Sequence, residues 1–195
     1  TMLGLHAMQH RGQEATGIVS FDGETFHAKR GRGEVGEILN DETVLKSLAG
    51  NAAIGHNRYA TTGEGTDQNI QPLFAEFSSG GVAIAHNGNL TNASALHNRL
   101  LASGSLFQST TDTEVIIHLM ARSMQANLVE RLADALHQVE GAFSLVALSR
   151  KKLIGVRDPL GIRPLVLGRL GGAHILASET CALDIIGADL VRDVE

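Results

Sequence analysis

The chain has 195 residues, 43% of them hydrophobic and 19% charged, with a formal net charge of -5. That length suits one domain with a buried core, and the acidic balance removes any electrostatic reason to expect nucleic acid or an anionic membrane as a partner. One cysteine, Cys181, excludes an internal disulfide and an iron–sulfur cluster held by cysteines of this chain. No apolar run approaches the roughly 20 residues that span a bilayer, and the opening TMLGLHAMQHRGQE has no signal-peptide pattern. A cytoplasmic location is expected. The chain does not begin with methionine, and helical spacing is already running at Leu3, so it reads as a piece of a longer protein.

Leu3, Ala7 and Met8 predict a helix from residue 2 to about residue 14. Strands are predicted over 17–21 and 25–30 around the Asp22-Gly23 turn, followed by a short acidic-start helix over 41–48. Residues 52–59 and 81–86 read as strands, each running into a loop of small polar residues. Helices are expected over 93–101, 113–124 and 128–139. From Ala142 onward the pattern changes to short β segments over 143–148, 153–157, 165–169 and 174–178, separated by tight turns that favour antiparallel meanders. Strands at both ends with helices between them predict a layered α+β domain over 1–195.

Two motifs point to chemistry that their context does not support. Gly31-Arg32-Gly33-Glu34-Val35-Gly36 matches a dinucleotide fingerprint but leads into an acidic stretch, not a long apolar helix, so a glycine-rich turn is the better reading. His6 and His10 have the spacing of zinc ligands, yet no base follows His6 and no third ligand is evident, so no metal is expected.

Three strand-to-loop or loop-to-helix transitions carry more information. Arg58, at the end of an apolar strand and followed by Tyr59 and Thr61, has the fork geometry to hold a carboxylate, with Thr61 completing the cradle. Asn87-Gly88 offers a side-chain N–H and an adjacent backbone N–H, the donor pair an oxyanion hole needs. Asp112 opens a helix and can meet an ammonium. Taken one at a time each has a plainer reading, which is then preferred: an arginine on a strand edge, an Asn-Gly turn, and an acid placed by the helix dipole.

Taken together, these segments resemble the class II glutamine amidotransferases, whose nucleophile is an N-terminal cysteine. They belong to the N-terminal-nucleophile hydrolase superfamily, and within it the likeness is to the amidophosphoribosyltransferase family. The resemblance runs from Gly4-Leu5-His6-Ala7-Met8-Gln9-His10-Arg11-Gly12-Gln13-Glu14 through Gly104 to Gln108, Arg157-Asp158-Pro159 with Gly161 to Leu165, and Ala177 to Asp184. It implies a four-layer αββα sandwich of two antiparallel sheets, here lacking its first strand. It also implies hydrolysis of glutamine through a glutamyl thioester, with the cysteine's own α-amino group as proton shuttle.

By resemblance, Asn87 and Gly88 form the oxyanion hole, Arg58 and Thr61 hold the substrate carboxylate, Asp112 holds its ammonium, and Tyr59 lines the pocket. Arg11 supports the N-terminal region, and Cys181 is a packing residue. No cofactor is implied for this domain. A phosphoribosyltransferase domain outside these residues is expected to bind phosphoribosyl pyrophosphate with Mg2+ and to accept the ammonia that opens purine synthesis. The full-length enzyme is expected to be a homo-oligomer.

Two departures stand out within the chain. The family's Cys-Gly nucleophile is not among these residues, so the chain alone is expected to be inactive, and Asn57 stands where an apolar residue is the norm. The rival readings are a catalytically dead glutamine-binding module, another class II amidotransferase, and a threonine hydrolase using Thr1. The last is disfavoured because Thr1 enters a helix directly.

Overall fold

The structure is a computed structural model that describes residues 1–59 and 66–195. The chain opens with α1 (Met2–Ala7) and a 3-10 turn over Gln9–Arg11. The first helix thus stops well short of residue 14. At Gly12 the chain runs so close to the next strand that a Cβ there would lie 2.4 Å from the carbonyl carbon of Arg58. Only glycine leaves that space, and helix cannot continue through it.

The hairpin expected around Asp22-Gly23 is present. Strands β1 (Ala15–Phe21) and β2 (Phe26–Arg32) pair antiparallel, and the Asp22 carboxylate accepts from the backbone N–H groups of Glu24 and Thr25, both at 2.8 Å. Strand β3 (Ala52–Arg58) pairs with the other edge of β1, giving the order β2-β1-β3. Between β2 and β3 lie α2 (Val35–Ile38), started by a capping box of Glu34 and Glu37, and α3 (Glu42–Ser47), capped by Asp41.

A second antiparallel sheet has the order β4-β5-β6-β7, from β4 (Leu73–Phe77), β5 (Gly80–Leu90), β6 (Gly141–Ser149) and β7 (Leu153–Arg157). Helices α4 (Ala93–Ala102), α5 (Asp112–Arg122) and α6 (Leu128–Leu136) connect β5 to β6. A third small sheet was not anticipated. Strands β8 (Val166–Leu170), β9 (Ala173–Ala177) and β10 (Asp189–Asp193) form it in the order β10-β8-β9, with α7 (Cys181–Asp184) preceding β10.

The period-2 alternation of strand side chains sorts the core into layers. On β1, Ile18 packs outward with Leu5, Val35 and Leu39 of the first helical layer. Val19 and Phe21 face inward and meet Ile54 of β3 and Ala83, Ala85 and Leu148 of the second sheet. The far face of that sheet, through Val82, Ile84 and Leu145, packs on Val115, Ile116, Leu119 and Met120 of α5 and Leu132 of α6. The result is the expected αββα sandwich. Every residue of β1 is buried because it is central in its sheet and covered on both faces. The third sheet docks through Val166, Ala177, Ala182 and Leu183 against Met8, at the end of α1.

Asn57, the departure noted in the sequence, has a structural task. It faces the outer helical layer, where its side-chain amide donates to the carbonyl of Leu5 at 2.7 Å and its oxygen accepts from Thr16 at 3.3 Å. An apolar residue would leave that helical carbonyl without this partner.

Candidate active site

Strand β3 delivers Arg58. Ile54 of that strand faces the inter-sheet core, so alternation places His56 and Arg58 on the same inner face. The Arg58 side chain is largely buried, and among the described residues its one ion-pair partner is Glu14, at 3.7 Å. Glu14 is tied to Arg58 through the backbone as well, its N–H donating to the Arg58 carbonyl at 3.1 Å. The second carboxylate oxygen of Glu14 is buried without a hydrogen bond. A guanidinium has five donors, so this arginine keeps capacity for an incoming anion. Tyr59 follows with its side chain exposed, and Thr61 lies outside the described residues.

Behind Arg58 the segment 9–14 is braced at several points. The Gln9 side chain donates to the Gly12 carbonyl at 2.6 Å and accepts from the N–H of Val35 at 2.8 Å. Arg11 and His10 both engage Glu179, which links this turn to the third sheet. Cys181 sits beside that cluster with its sulfur toward the Ala7 carbonyl. Burial raises its thiol pKa, and the nearby Glu179 carboxylate raises it further, the reverse of what activates a cysteine.

Strand β5 delivers Asn87 and Gly88, but not as the turn that the dipeptide suggests. The strand runs through them to Leu90, with Asn87 opposite Ser144 and Gly88 opposite Phe143 of β6. Ala83 and Ala85 face the inter-sheet core, so Asn87 continues that inner face, the face that also carries Arg58 on β3. Its side-chain nitrogen is buried with no hydrogen-bond partner among the described residues.

The backbone N–H of Gly88 turns away from β6 as well. Those of His86 and Leu90 point away from β6, to the side-chain oxygens of Gln71 at 2.7 Å and Asp112 at 3.0 Å. Alternation of N–H direction sends the Gly88 N–H to that same edge, and β4 has already ended there, opposite Ile84. A Cβ at Gly88 would lie 2.2 Å from the Ala142 carbonyl oxygen and 2.7 Å from His86 Nε2, so no other residue fits.

Asp112 is the first residue of α5, where the helix dipole favours a carboxylate. One oxygen accepts from Leu90, and the other lies 3.4 Å from His86 Nδ1. Burial acts to raise its pKa, but the bonds from His86, Leu90 and Thr113 prevail and hold it below the ordinary carboxylate value. It is an anion with a partly exposed side chain.

The sequence drew no attention to two histidines that connect these groups. His56 Nε2 donates to the carbonyl of His86 at 3.1 Å, joining β3 to β5 across the sandwich. His86 in turn meets α5 through Asp112 and Thr113. Arg58 is therefore two residues from one end of this chain of contacts, Asn87 is next to its centre, and Asp112 is its other end. The only signal in the sequence was position, because a histidine at i−2 from Arg58 and another at i−1 from Asn87 must share those strands.

Thr1 is elsewhere. Its hydroxyl lies 3.5 Å from the Ala53 carbonyl, and its methyl lies over Gly55 on the outer face of β3, opposite Arg58. A cleft of about 540 Å³ at the β4–α5 edge, lined by Arg30, Glu76, Glu114 and His118 among others, includes none of the expected site residues. Among the described residues no helix is long and apolar enough to cross a membrane.

A strand-borne arginine, a buried unpaired amide (among the described residues) followed by a glycine, and an aspartate in the first turn of a helix, on an αββα sandwich, define a class. Residues 56–184 match the family model described as "Glutamine amidotransferase domain", and the chain belongs to that family. It is similar over its whole length to the amidophosphoribosyltransferase of Rhizobium etli, at 57% identity, and to that of Bacillus subtilis, at 44%. The solved glutamine phosphoribosylpyrophosphate amidotransferase from B. subtilis, complexed with ADP and GMP, superposes with a TM-score of 0.94 at 43% identity and covers 100% of this chain. A second solved structure, described as the allosteric regulatory enzyme of purine biosynthesis, gives 0.96 at 44%. The fold is thus that of the N-terminal-nucleophile hydrolases. The chain spans 39% of the R. etli relative, 41% of the B. subtilis one and 42% of each solved chain.

Proposed function

We propose that this chain is the glutamine-hydrolysing part of an amidophosphoribosyltransferase, supplying ammonia that converts phosphoribosyl pyrophosphate to 5-phosphoribosylamine. The observation that carries the reading is the buried Asn87 amide, without a hydrogen-bond partner among the described residues, beside a Gly88 N–H that strand alternation directs away from β6. A buried donor without a partner costs about 1–3 kcal/mol, and a site that must bind a transient oxyanion gives a reason to keep it so.

In this reading the glutamine side-chain carbonyl lies against Asn87 and Gly88. As a cysteine thiolate attacks, the C=O electron pair moves onto oxygen and the two N–H groups stabilise the charge. The amide nitrogen then leaves as ammonia after gaining a proton from the cysteine's α-amino group. Water resolves the thioester to glutamate. Arg58, with Thr61, holds the α-carboxylate, Asp112 holds the α-ammonium, and Tyr59 flanks the pocket. The nucleophile is not among these 195 residues, since Cys181 packs beside α1. Phosphoribosyl pyrophosphate and Mg2+ are assigned to a phosphoribosyltransferase domain outside them, with no cofactor in this one. A cytoplasmic homo-oligomer is the expected form of the full-length enzyme.

The test is steady-state kinetics of that enzyme. Asn87→Ala should lower glutamine turnover by about a hundredfold to a thousandfold, with a smaller effect on KM, because its donor acts on charge that develops during attack. Arg58→Ala should act first on KM for glutamine, because the carboxylate is present in ground and transition states alike. Synthesis from added ammonia should survive both. Intact glutamine turnover in Asn87→Ala, or loss of the ammonia-dependent reaction in either variant, would refute the assignment.

A further inference from the structure

We infer that His86 is a positioning residue for Asp112, fixing the ammonium-binding carboxylate relative to the oxyanion donors. The inference rests on the reading of Asp112 given above.

The His86 side chain is 1% exposed, so every polar atom it carries must be accounted for within the fold. Its backbone N–H is held by Gln71 and its carbonyl by His56. On the ring, Nδ1 faces Asp112 Oδ1 at 3.4 Å and Thr113 Oγ1 at 3.3 Å. Nε2 is buried without a partner and abuts the Cα of Gly88. An ionised carboxylate only accepts, and among the described residues nothing at Nε2 accepts a hydrogen bond. The ring is therefore assigned an N–H on Nδ1, toward Asp112, with Nε2 against Gly88.

The consequence is geometric. One oxygen of Asp112 accepts from Leu90 and the other lies 3.4 Å from His86 Nδ1, so the positions of β5 that bracket Asn87 and Gly88 flank both. The anion that takes the substrate's ammonium, on α5, is thus set against the same strand, β5, that carries the donors for its amide oxygen. A single glutamine must reach both, and an error of about 1 Å between them is costly for a reacting group. Without the Nδ1–H, Oδ1 has no donor from β5, and the Leu90 N–H alone ties the carboxylate to that strand.

The decisive comparison is His86→Asn against His86→Gln in the full-length enzyme, beside Asp112→Ala. Asparagine can place an amide N–H near the Nδ1 position, whereas glutamine places it near Nε2 and leaves Asp112 without its donor. His86→Gln should raise KM for glutamine by about tenfold, a larger change than in kcat, and His86→Asn should stay within about threefold of the unsubstituted enzyme. The ammonia-dependent rate, unchanged in both, reports that the protein is folded.

Equal KM values in the two variants, whether both raised or both normal, would overturn the positioning role if Asp112→Ala raises KM. A normal KM in Asp112→Ala would instead overturn the assignment of Asp112, and the inference with it. Should His86→Gln fail to fold, 15N shifts of labelled histidine in the unsubstituted enzyme decide the matter. A protonated Nδ1 on His86 supports the inference, and a bare Nδ1 refutes it.

Discussion

His56 lies two residues before Arg58, with its ring in the gap between the sheets and its Nδ1 sealed without a partner. Burial, and then the proximity of His86 and Arg58, press its pKa down to about 4. An unfolded chain titrates histidine near 6.5. As pH falls from about 6.5 to about 4, the unfolded state therefore takes up a proton that the folded state refuses, and stability is lost across that window. Above it His56 contributes no pH dependence. Since the residue as a whole is only half-buried, the loss should be on the order of 1–3 kcal/mol. Urea unfolding at pH 7.5, 6 and 4.5 should show a shallower fall for His56→Gln than for the unsubstituted chain. Parallel profiles would mean that His56 is protonated in the fold.

Among the secondary-structure elements, the turn after β7 shows how a single carboxylate organises a loop. Asp158 is 2% exposed and accepts from the backbone N–H groups of Phe143 at 3.2 Å, Leu160 at 3.0 Å, Ile162 at 3.3 Å and Arg163 at 3.4 Å. Burial would raise its pKa, but those four donors together hold it below the ordinary value. The same residue pins β6 at Phe143, directly opposite Gly88. Asp158→Ala removes the acceptor for all four and should cost about 2–4 kcal/mol, with Asp158→Asn, which keeps one acceptor oxygen, losing about half of that. Chemical denaturation of the three proteins would measure it. A cost below about 0.5 kcal/mol for the alanine variant would show that water replaces the carboxylate there.

At the scale of the whole molecule, the site belongs to no single element. Arg58 comes from the first sheet, Asn87 and Gly88 from the second, and Asp112 from the helical layer beyond it. Binding a small zwitterion with an amide requires groups held in place before the substrate arrives, and in the proposed reading the sandwich is what holds them. Splitting that amide further requires an activated nucleophile. A polypeptide of these 195 residues alone is therefore expected to show no turnover of glutamine to glutamate in a coupled glutamate assay. Turnover abolished by Thr1→Ala would contradict this, and would also be hard to reconcile with the place of Thr1 on the outer face of β3.

Reading the sequence alone was enough to place most strands and helices to within a few residues, because alternation and helical spacing respond to burial on one face. The same reading marked Arg58, Asn87, Gly88 and Asp112 as a set through their resemblance to one family, and comparison of the whole chain with its relatives supports that family. Besides β4 and the third sheet, it missed three things that depend on distant neighbours. The first helix ends early because Gly12 meets Arg58, 46 positions along the chain by numbering. The Asn-Gly pair is strand because β6 lies beside it, a pairing that overrides its turn propensity. His56 and His86 carry no local pattern at all. Their meaning appears only when β3 crosses β5 and α5 closes over the far side. Local propensity and spacing are written along the chain, whereas the partners that satisfy a buried polar atom are chosen by the packing of the sheets.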